Sequence, residues 1–109
     1  MQKIQLALSD SDYCEALRNS LAKDGAFQSW EVEIVSIPEP RRASILVLDS
    51  AALDRVPPPL PHPENVVLIA KNEPEQLTRA WEAGIVSVIF EHEPLSTAML
   101  AILAARYRA

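Results

Sequence analysis

The feature that most constrains this chain is a short apolar run that ends in a carboxylate. Residues 45–48 are all isoleucine, leucine or valine, and Asp49 follows them directly. Such a run is too short for an independent helix and lacks the polar alternation of a half-exposed strand. It is typical of a strand that is covered on both faces in a parallel sheet. Ligands bind at the carboxyl ends of such strands, so Asp49 is expected at the functional edge of the sheet.

Four further segments are predicted strands, and helical patterns or loops separate them. The strands cover residues 4–8, 30–37, 66–70 and 85–90. The predicted order is β–α–β–turn–β–loop–β–α–β–α. Alternation of this kind indicates a parallel sheet with helices on both faces, connected in the right-handed sense.

The first two predicted helices have recognisable starts and buried stripes. Asp12, with Glu15 three residues later, resembles a capping box at the start of the first helix. The second long helix begins near Pro74. On that helix, Leu77, Ala80 and Trp81 are expected to form the stripe that faces the sheet.

The last predicted helix, residues 95–107, is apolar around much of its circumference. One stripe consists of Leu95, Ala98, Met99, Ile102 and Leu103. A second stripe, formed by Leu100, Ala104 and Tyr107, lies outside the first. A helix of this kind usually has two neighbours, of which one is its own sheet and the other is a candidate second protein subunit. A wide core stripe alone would also explain the pattern.

Prolines interrupt the two connections around the central strand. Five of the seven residues 57–63 are proline, and the stretch 38–42 leaves room for at most one helical turn. Proline-rich segments favour extended polyproline geometry. We interpret residues 57–63 as a rigid surface crossover, with a protein-binding ligand segment as the alternative.

Composition narrows the class of protein. The 109 residues predict one domain, 1–109, with a packed core. A net charge of -5 disfavours binding to nucleic acid or to an anionic membrane. The single cysteine, Cys14, excludes an internal disulfide, and no window is long enough for a membrane span. We therefore expect a cytoplasmic protein.

No enzyme signature is present. Phosphate-cradling and dinucleotide motifs need glycine-rich turns, and the chain has only two glycines. His62 lies in the proline run and His92 lies beside Glu91, where a histidine can act as a general base or a metal ligand. The two histidines are not clustered and have no cysteine partners, so they are expected at the surface, and Cys14 is expected to be partly buried.

The order and spacing of these segments resemble the receiver domain of bacterial two-component response regulators over nearly the whole chain. The resemblance rests on residues 4–8 leading into Ser9 and Asp10, on residues 45–49, on residues 66–70, and on the Ala-Gly pair at residues 83–84 before the last strand. It implies a flavodoxin-like (CheY-like) three-layer α/β sandwich with a five-stranded parallel sheet. The second and third helices of that fold would be shortened or lost here.

The resemblance also implies positions for the phosphorylation site. In the family, an acidic pair and an acceptor aspartate hold Mg²⁺, a Ser or Thr and a Lys contact the phosphoryl group, and an aromatic residue acts as a switch. The matching positions here are Ser9 and Asp10 for the pair, Asp49 for the acceptor, Ile69 for the hydroxyl, Glu91 for the lysine and Val88 for the aromatic switch residue. One carboxylate is missing, the hydroxyl is absent, and the lysine is replaced by an acid.

These departures predict a degenerate receiver, or pseudo-receiver, that serves as a protein-interaction module in signalling. Phosphoryl transfer needs cations and donors where negative charge develops, and the matching positions supply none. The alternative is a divergent but working receiver, phosphorylated on Asp49 by a histidine kinase in a two-component phosphorelay. We expect no enzymatic activity, a protein partner, and a homodimer formed through the last helix.

A divalent cation is the only cofactor that the sequence suggests. Mg²⁺ prefers oxygen ligands, and Asp10 and Asp49, with Glu91 beside them, would offer such ligands at the sheet edge. The alternative is a solvated acidic rim with no bound ion.

Overall fold

A computed structural model describes residues 2–108, so Met1 and Ala109, the ends of the predicted domain, lie outside the described residues. The helices and strands, in chain order, are β1 (Lys3–Ala7), α1 (Ser11–Lys23), β2 (Glu31–Ile34), β3 (Ile45–Asp49), α2 (Ser50–Leu53), β4 (Val66–Ala70), α3 (Pro74–Glu82), β5 (Ser87–Phe90) and α4 (Leu95–Arg106), with short 3₁₀ turns at Gly25–Phe27 and Pro63–Asn65.

The five strands form one sheet in which every neighbouring pair is parallel. The order across the sheet is β2-β1-β3-β4-β5, so β1 and β3 lie side by side in its interior. The chain runs from β1 outward to β2 and then crosses back to β3. This reversal opens a crevice at the carboxyl ends of β1 and β3, where Ser9 and Asp49 lie. The predicted α/β fold with five parallel strands is confirmed.

Two apolar cores lie on opposite faces of the sheet. α1 and α4 pack on one face, and α2 and α3 cover the other. The central strand β3 contributes to both, because Ile45 and Val47 face the first core and Leu46 and Leu48 face the second. All four side chains are buried, as the unbroken apolar run predicts. The arrangement is the expected three-layer sandwich.

The connections around β3 have lost most of their helical structure. Between β2 and β3 the described chain contains only a turn at residues 40–42, and α2, after β3, has four residues. The prediction that the second and third helices are shortened or lost is confirmed. Loops therefore cover part of the sheet face on which α3 lies.

Gln5 in β1 holds one of these loops. It is the only polar residue within residues 2–108 that is fully buried. Its side-chain Oε1 accepts the Glu39 N–H (2.8 Å), and its Nε2 donates to Glu33 Oε1 (3.0 Å). The other carboxylate oxygen of Glu33 lies 3.5 Å from Lys3 Nζ. Within a helix the backbone N–H groups find carbonyl acceptors in the helix itself. In this loop the Glu39 N–H instead uses the side chain of the buried Gln5 as its acceptor.

The start of α1 differs from the prediction. The helix begins at Ser11, and its N-cap is Asp10, whose Oδ1 accepts the Tyr13 N–H (3.0 Å). The capping box predicted for Asp12 and Glu15 is wrong, because Asp10 is the last residue with extended backbone before the helix. Asp10 is therefore placed to accept from a residue three positions later.

The buried stripe predicted for α3 is wrong in two of its three residues. Ala80 is buried, but Leu77 is 36% exposed and Trp81 is 84% exposed. Each helical residue turns about 100° from the last, and Ala80 takes the direction that faces the sheet. Trp81 is consequently carried round to the solvent side.

We predict that Gln5→Ala lowers the free energy of unfolding by about 1–3 kcal/mol, because the Glu39 backbone N–H loses its acceptor and a fully buried position loses most of its side chain. Urea denaturation followed by tryptophan fluorescence measures this change. Gln28→Ala, at an exposed position, is the matched control and should change stability by less than about 0.5 kcal/mol. Equal unfolding midpoints for both variants would contradict the role assigned to Gln5.

Candidate functional site

An open depression lies at the carboxyl edge of the sheet, beside the point where the winding reverses. Its lining residues come from the ends of β1, β3, β4 and β5 and from the first turn of α1: Leu8, Asp10, Tyr13, Asp49, Ile69, Glu91 and His92. Four positions that the resemblance assigned to the phosphorylation site, namely Asp10, Asp49, Ile69 and Glu91, therefore line one surface. Ser9 joins them through its backbone, as described next.

Both carboxylate oxygens of Asp49 are engaged by backbone donors. The Ser9 N–H donates to Oδ2 (2.7 Å), and the Ala52 N–H donates to Oδ1 (2.9 Å). Asp49 has extended backbone and is the N-cap of α2, which explains its second contact. The first contact joins the ends of β1 and β3. The carboxylate thus fixes the local backbone at the centre of the site.

Asp10 has a similar structural task at the start of α1. With its Oδ1 on the Tyr13 N–H, three of the four oxygens of Asp10 and Asp49 accept described backbone hydrogen bonds. Ser9, the residue before Asp10, donates its backbone N–H to Asp49. The two carboxylates therefore act first as caps of the helices that follow them.

The electrostatic character of the depression is negative. Asp10, Asp49 and Glu91 line it, and no lysine or arginine is among the lining residues. His92 is exposed, and its ring stacks on Phe90 with centroids 5.9 Å apart. Ile69 is 6% exposed and belongs to the core beneath α1 and α4. Apart from the His92 ring and the Tyr13 hydroxyl, the surface offers carboxylates and apolar carbon where phosphoryl chemistry needs cations and hydroxyls.

Tyr13 is a lining residue that the sequence analysis did not place at the site. Its hydroxyl is buried and has no hydrogen-bond partner among residues 2–108. Burial raises the pKa of the Tyr13 hydroxyl, and the nearby Glu93 carboxylate raises it further. The group therefore stays protonated and uncharged at neutral pH. Its position three residues after the Asp10 cap is the sequence signal that places it at this edge.

The metal-ligand geometry is incomplete. Within residues 2–108 no group of three or more His, Cys, Asp or Glu side chains is close enough to hold a metal ion. Glu91 lines the same depression as Asp10 and Asp49 but does not complete a cluster with them. The donor set therefore fits Mg²⁺ poorly, since most oxygens of the two aspartates already accept backbone hydrogen bonds. A two-aspartate Mg²⁺ site stays a prediction.

The other candidate residues lie away from this chemistry. Cys14 is buried, and the pKa of its thiol is raised by burial and by the neighbouring carboxylates of Glu15 and Asp10, which keeps it unreactive. His62 is exposed. Val88, the position matched to the aromatic switch, is half-buried against the core under α3.

The second stripe of α4 is exposed to solvent and does not belong to a wide core stripe, which was one of the two interpretations of its pattern. Leu100 is 67% exposed, Tyr107 is 84% exposed and Ala104 is also exposed. Two further apolar side chains, Trp81 on α3 and Val86 before β5, are exposed on neighbouring elements. The contribution of α4 to a subunit contact stays a prediction.

Several solved structures that are similar to this chain are receiver domains of response regulators. The ChxR receiver domain from Chlamydia trachomatis has a TM-score of 0.71 at 12% sequence identity, covering 99% of this chain and 98% of that chain. The non-phosphorylated HemR receiver domain from Leptospira biflexa has a TM-score of 0.67 at 15% identity, covering 96% and 94%. A response regulator receiver domain protein from Clostridium thermocellum has a TM-score of 0.67 at 15% identity, covering 99% and 96%.

These likenesses show that the chain has the CheY-like receiver fold over its whole described length. The resemblance drawn from the sequence is confirmed at the level of the fold. No family model matches the sequence, and no curated protein matches it either. Among residues 2–108, none of the helices has the length and apolar character needed to span a bilayer.

We predict that Asp49→Ala lowers the free energy of unfolding by about 1–3 kcal/mol, because two backbone N–H groups lose a charged acceptor. Asp49→Asn, which retains one carbonyl acceptor, should lose less. Chemical denaturation of the three proteins in parallel measures the difference.

The exposed Glu82 provides the control for removing a carboxylate elsewhere, and Glu82→Ala should stay within about 0.5 kcal/mol of wild type. A gain in stability for Asp49→Ala would mean that repulsion from Asp10 and Glu91 outweighs the two backbone contacts. That result would contradict the structural role of the Asp49 carboxylate.

Proposed function

We propose that this chain is a degenerate receiver domain, a pseudo-receiver, which acts as a protein-interaction module in signalling without efficient phosphorylation and without enzymatic activity. The observation that carries the proposal is the environment of Asp49. Its two oxygens accept the N–H groups of Ser9 and Ala52, and the depression that it shares with Asp10 and Glu91 has no lysine, arginine, serine or threonine side chain in its lining. An adjoining depression on the β2 side of Asp49 does contain Ser9, Ser36 and Arg55, but the Arg55 guanidinium donates to the Ser36 carbonyl oxygen (3.1 Å).

Electrostatics makes phosphorylation of this site unfavourable. A phosphoryl group on Asp49 would replace a single negative charge by roughly 1.5–2 negative charges beside the carboxylates of Asp10 and Glu91. In-line transfer also needs positive charge or donors to stabilise the equatorial oxygens. The side-chain donors in the lining are the uncharged, buried Tyr13 hydroxyl and the exposed His92 ring, and Ile69 offers only carbon. To react, the Asp49 carboxylate would in addition have to break the hydrogen bonds that it accepts from the Ser9 and Ala52 N–H groups.

The alternative is a divergent receiver that is phosphorylated on Asp49 by a histidine kinase. The favouring observation is that Asp49 ends β3 at the carboxyl edge and shares its depression with Asp10. Mg²⁺ held by these two residues would supply the missing positive charge.

We predict that incubation of the purified chain with Mg²⁺ and acetyl phosphate produces no species heavier by one phosphoryl group. Intact-mass spectrometry measures this, with a conventional receiver domain treated in parallel to show that the donor is active. An adduct that forms on wild type and is absent from Asp49→Asn would contradict the pseudo-receiver proposal and support the alternative.

The proposed interaction surface is the exposed stripe of α4. Leu100, Ala104 and Tyr107 present apolar area to solvent although the same helix buries Ala98 and Ile102 against the sheet. Apolar patches that persist on a folded surface mark contacts with other proteins. A homodimer through this stripe is the simplest occupant, because two-fold contacts use the same surface on both copies.

We predict that Leu100→Glu and Ala104→Glu convert a dimer into a monomer, because each places a charge in an apolar contact. Light scattering and sedimentation at high micromolar concentration measure the mass. Ser96→Glu adds the same charge at an exposed position near the start of α4 and should leave the mass unchanged. A wild-type protein that is monomeric at these concentrations would contradict the homodimer.

A further inference from the structure

A second surface lies where the lost helices would have covered the sheet. Residues 39–42, in the turn before β3, and residues 56–61, in the proline-rich crossover, form the two sides of an open groove. Its lining consists of Glu39, Pro40, Arg41, Arg42, Val56, Pro57, Pro58, Pro59 and Pro61, and its volume is about 540 Å³. This volume falls in the range of ligand-binding clefts.

Proline gives the groove walls a fixed shape. Five of the nine lining residues are prolines. The four that belong to the crossover, Pro57, Pro58, Pro59 and Pro61, are exposed to solvent. A proline ring fixes one backbone torsion and has few side-chain states to lose, so a surface built from prolines is ordered before a partner arrives. Binding to such a surface carries a smaller entropic penalty than binding to a mobile loop.

The same segment is linked to the structured core. The Arg55 guanidinium donates to the Ser36 carbonyl oxygen (3.1 Å), joining the two loops that form the groove. Val56 is 8% exposed and packs in the core beneath α2 and α3. The Glu39 backbone is held by the buried Gln5 side chain. The walls are therefore anchored at both ends.

The charge of the groove is opposite to that of the chain. The chain carries a net charge of -5, whereas the groove lining has two arginines and one glutamate. Glu39 pairs with Arg42 at 3.1 Å. Arg41 is exposed and forms no ion pair with any side chain in residues 2–108. An unpaired basic side chain thus lies beside an apolar wall on a chain whose net charge is negative.

We infer that this groove is a docking site for a protein segment that carries an aromatic side chain flanked by aspartate or glutamate. The flat faces of the prolines complement an aromatic ring, and proline–aromatic packing is a recurring mode of peptide recognition. Arg41 supplies the partner for the flanking carboxylate through a charge-assisted hydrogen bond. A basic segment would be repelled at the groove, and an acidic one would be repelled by most of the remaining surface.

This site is independent of the proposed dimer and of the Asp49 depression. Its residues lie in the two loops on the face of the sheet that α2 and α3 partly cover, whereas the proposed dimer stripe lies on α4. The docking site and the pseudo-receiver function can therefore fail separately.

The test is to pan a phage-displayed random dodecapeptide library on the immobilised full chain, with parallel panning on Arg41→Glu. The matched control is Lys71→Glu, which makes the same charge change at an exposed position outside the groove. Enriched peptides are then synthesised, their affinities are measured by fluorescence anisotropy in 0.15 M salt, and their site is mapped from backbone amide NMR shifts.

The expected result is enrichment of peptides with Trp, Phe or Tyr next to Asp or Glu. Their affinity should fall by about tenfold or more in Arg41→Glu, where a matched charge pair becomes a repulsive one, and should change by less than about twofold in Lys71→Glu. The perturbed amides should include Arg41, Arg42 and Leu60. Binding should persist in Leu100→Glu, the variant designed to break the dimer.

Three outcomes would overturn the inference. The first is no enrichment above an empty-surface control. The second is enrichment of basic or purely aliphatic peptides. The third is a peptide that binds Arg41→Glu as tightly as wild type or that perturbs the amides of α4. None of these outcomes bears on whether Asp49 can be phosphorylated.

Discussion

The structure depends on the junction of its two central strands. β1 and β3 pair in the middle of the sheet, and the Asp49 carboxylate joins their ends by accepting the Ser9 N–H while capping α2 through Ala52. In a parallel sheet the strand ends have backbone groups that the ladder does not satisfy. A carboxylate at that point supplies two acceptor atoms at once. Asp49, the residue best placed for chemistry at the sheet edge, therefore stabilises the local backbone.

Much of the fold was predictable because the strands that matter are buried on both faces. Residues 45–48 and 66–70 are apolar at every position, and such runs have few alternatives in a chain of this length. Helix orientation was less predictable. The spacing of Leu77, Ala80 and Trp81 fits one helical stripe. In the structure, however, only the small Ala80 side chain faces the sheet, and the two larger side chains are exposed. The Asp10 cap was not predicted, because Asp12 offers the same local signal two residues later in the sequence.

The site was predictable as a set of positions and not as a set of contacts. Register along a parallel sheet brings the residues at the carboxyl ends of β1, β3, β4 and β5 to one edge, which is why Asp10, Asp49, Ile69 and Glu91 line the same depression. Whether Asp49 points into solvent or caps a helix depends on the backbone angles of one residue, and no pattern specifies those. The buried hydroxyl of Tyr13 and the buried amide of Gln5 depend on long-range packing, which lies beyond any local window.

Loss of helices has also changed how the remaining elements are held. α3 buries only Ala80, and polar contacts with the segment after Asp49 supplement that small apolar anchor. The Ser50 hydroxyl donates to Gln76 Oε1 (2.6 Å), an oxygen that also accepts the Lys71 N–H (2.9 Å), and Arg79 pairs with Asp54. Polar contacts at a surface contribute less than apolar burial but specify geometry more narrowly. The short α2 and the proline-rich loops are therefore accompanied by polar contacts that define the position of α3, and a defined surface is what the proposed interaction function requires.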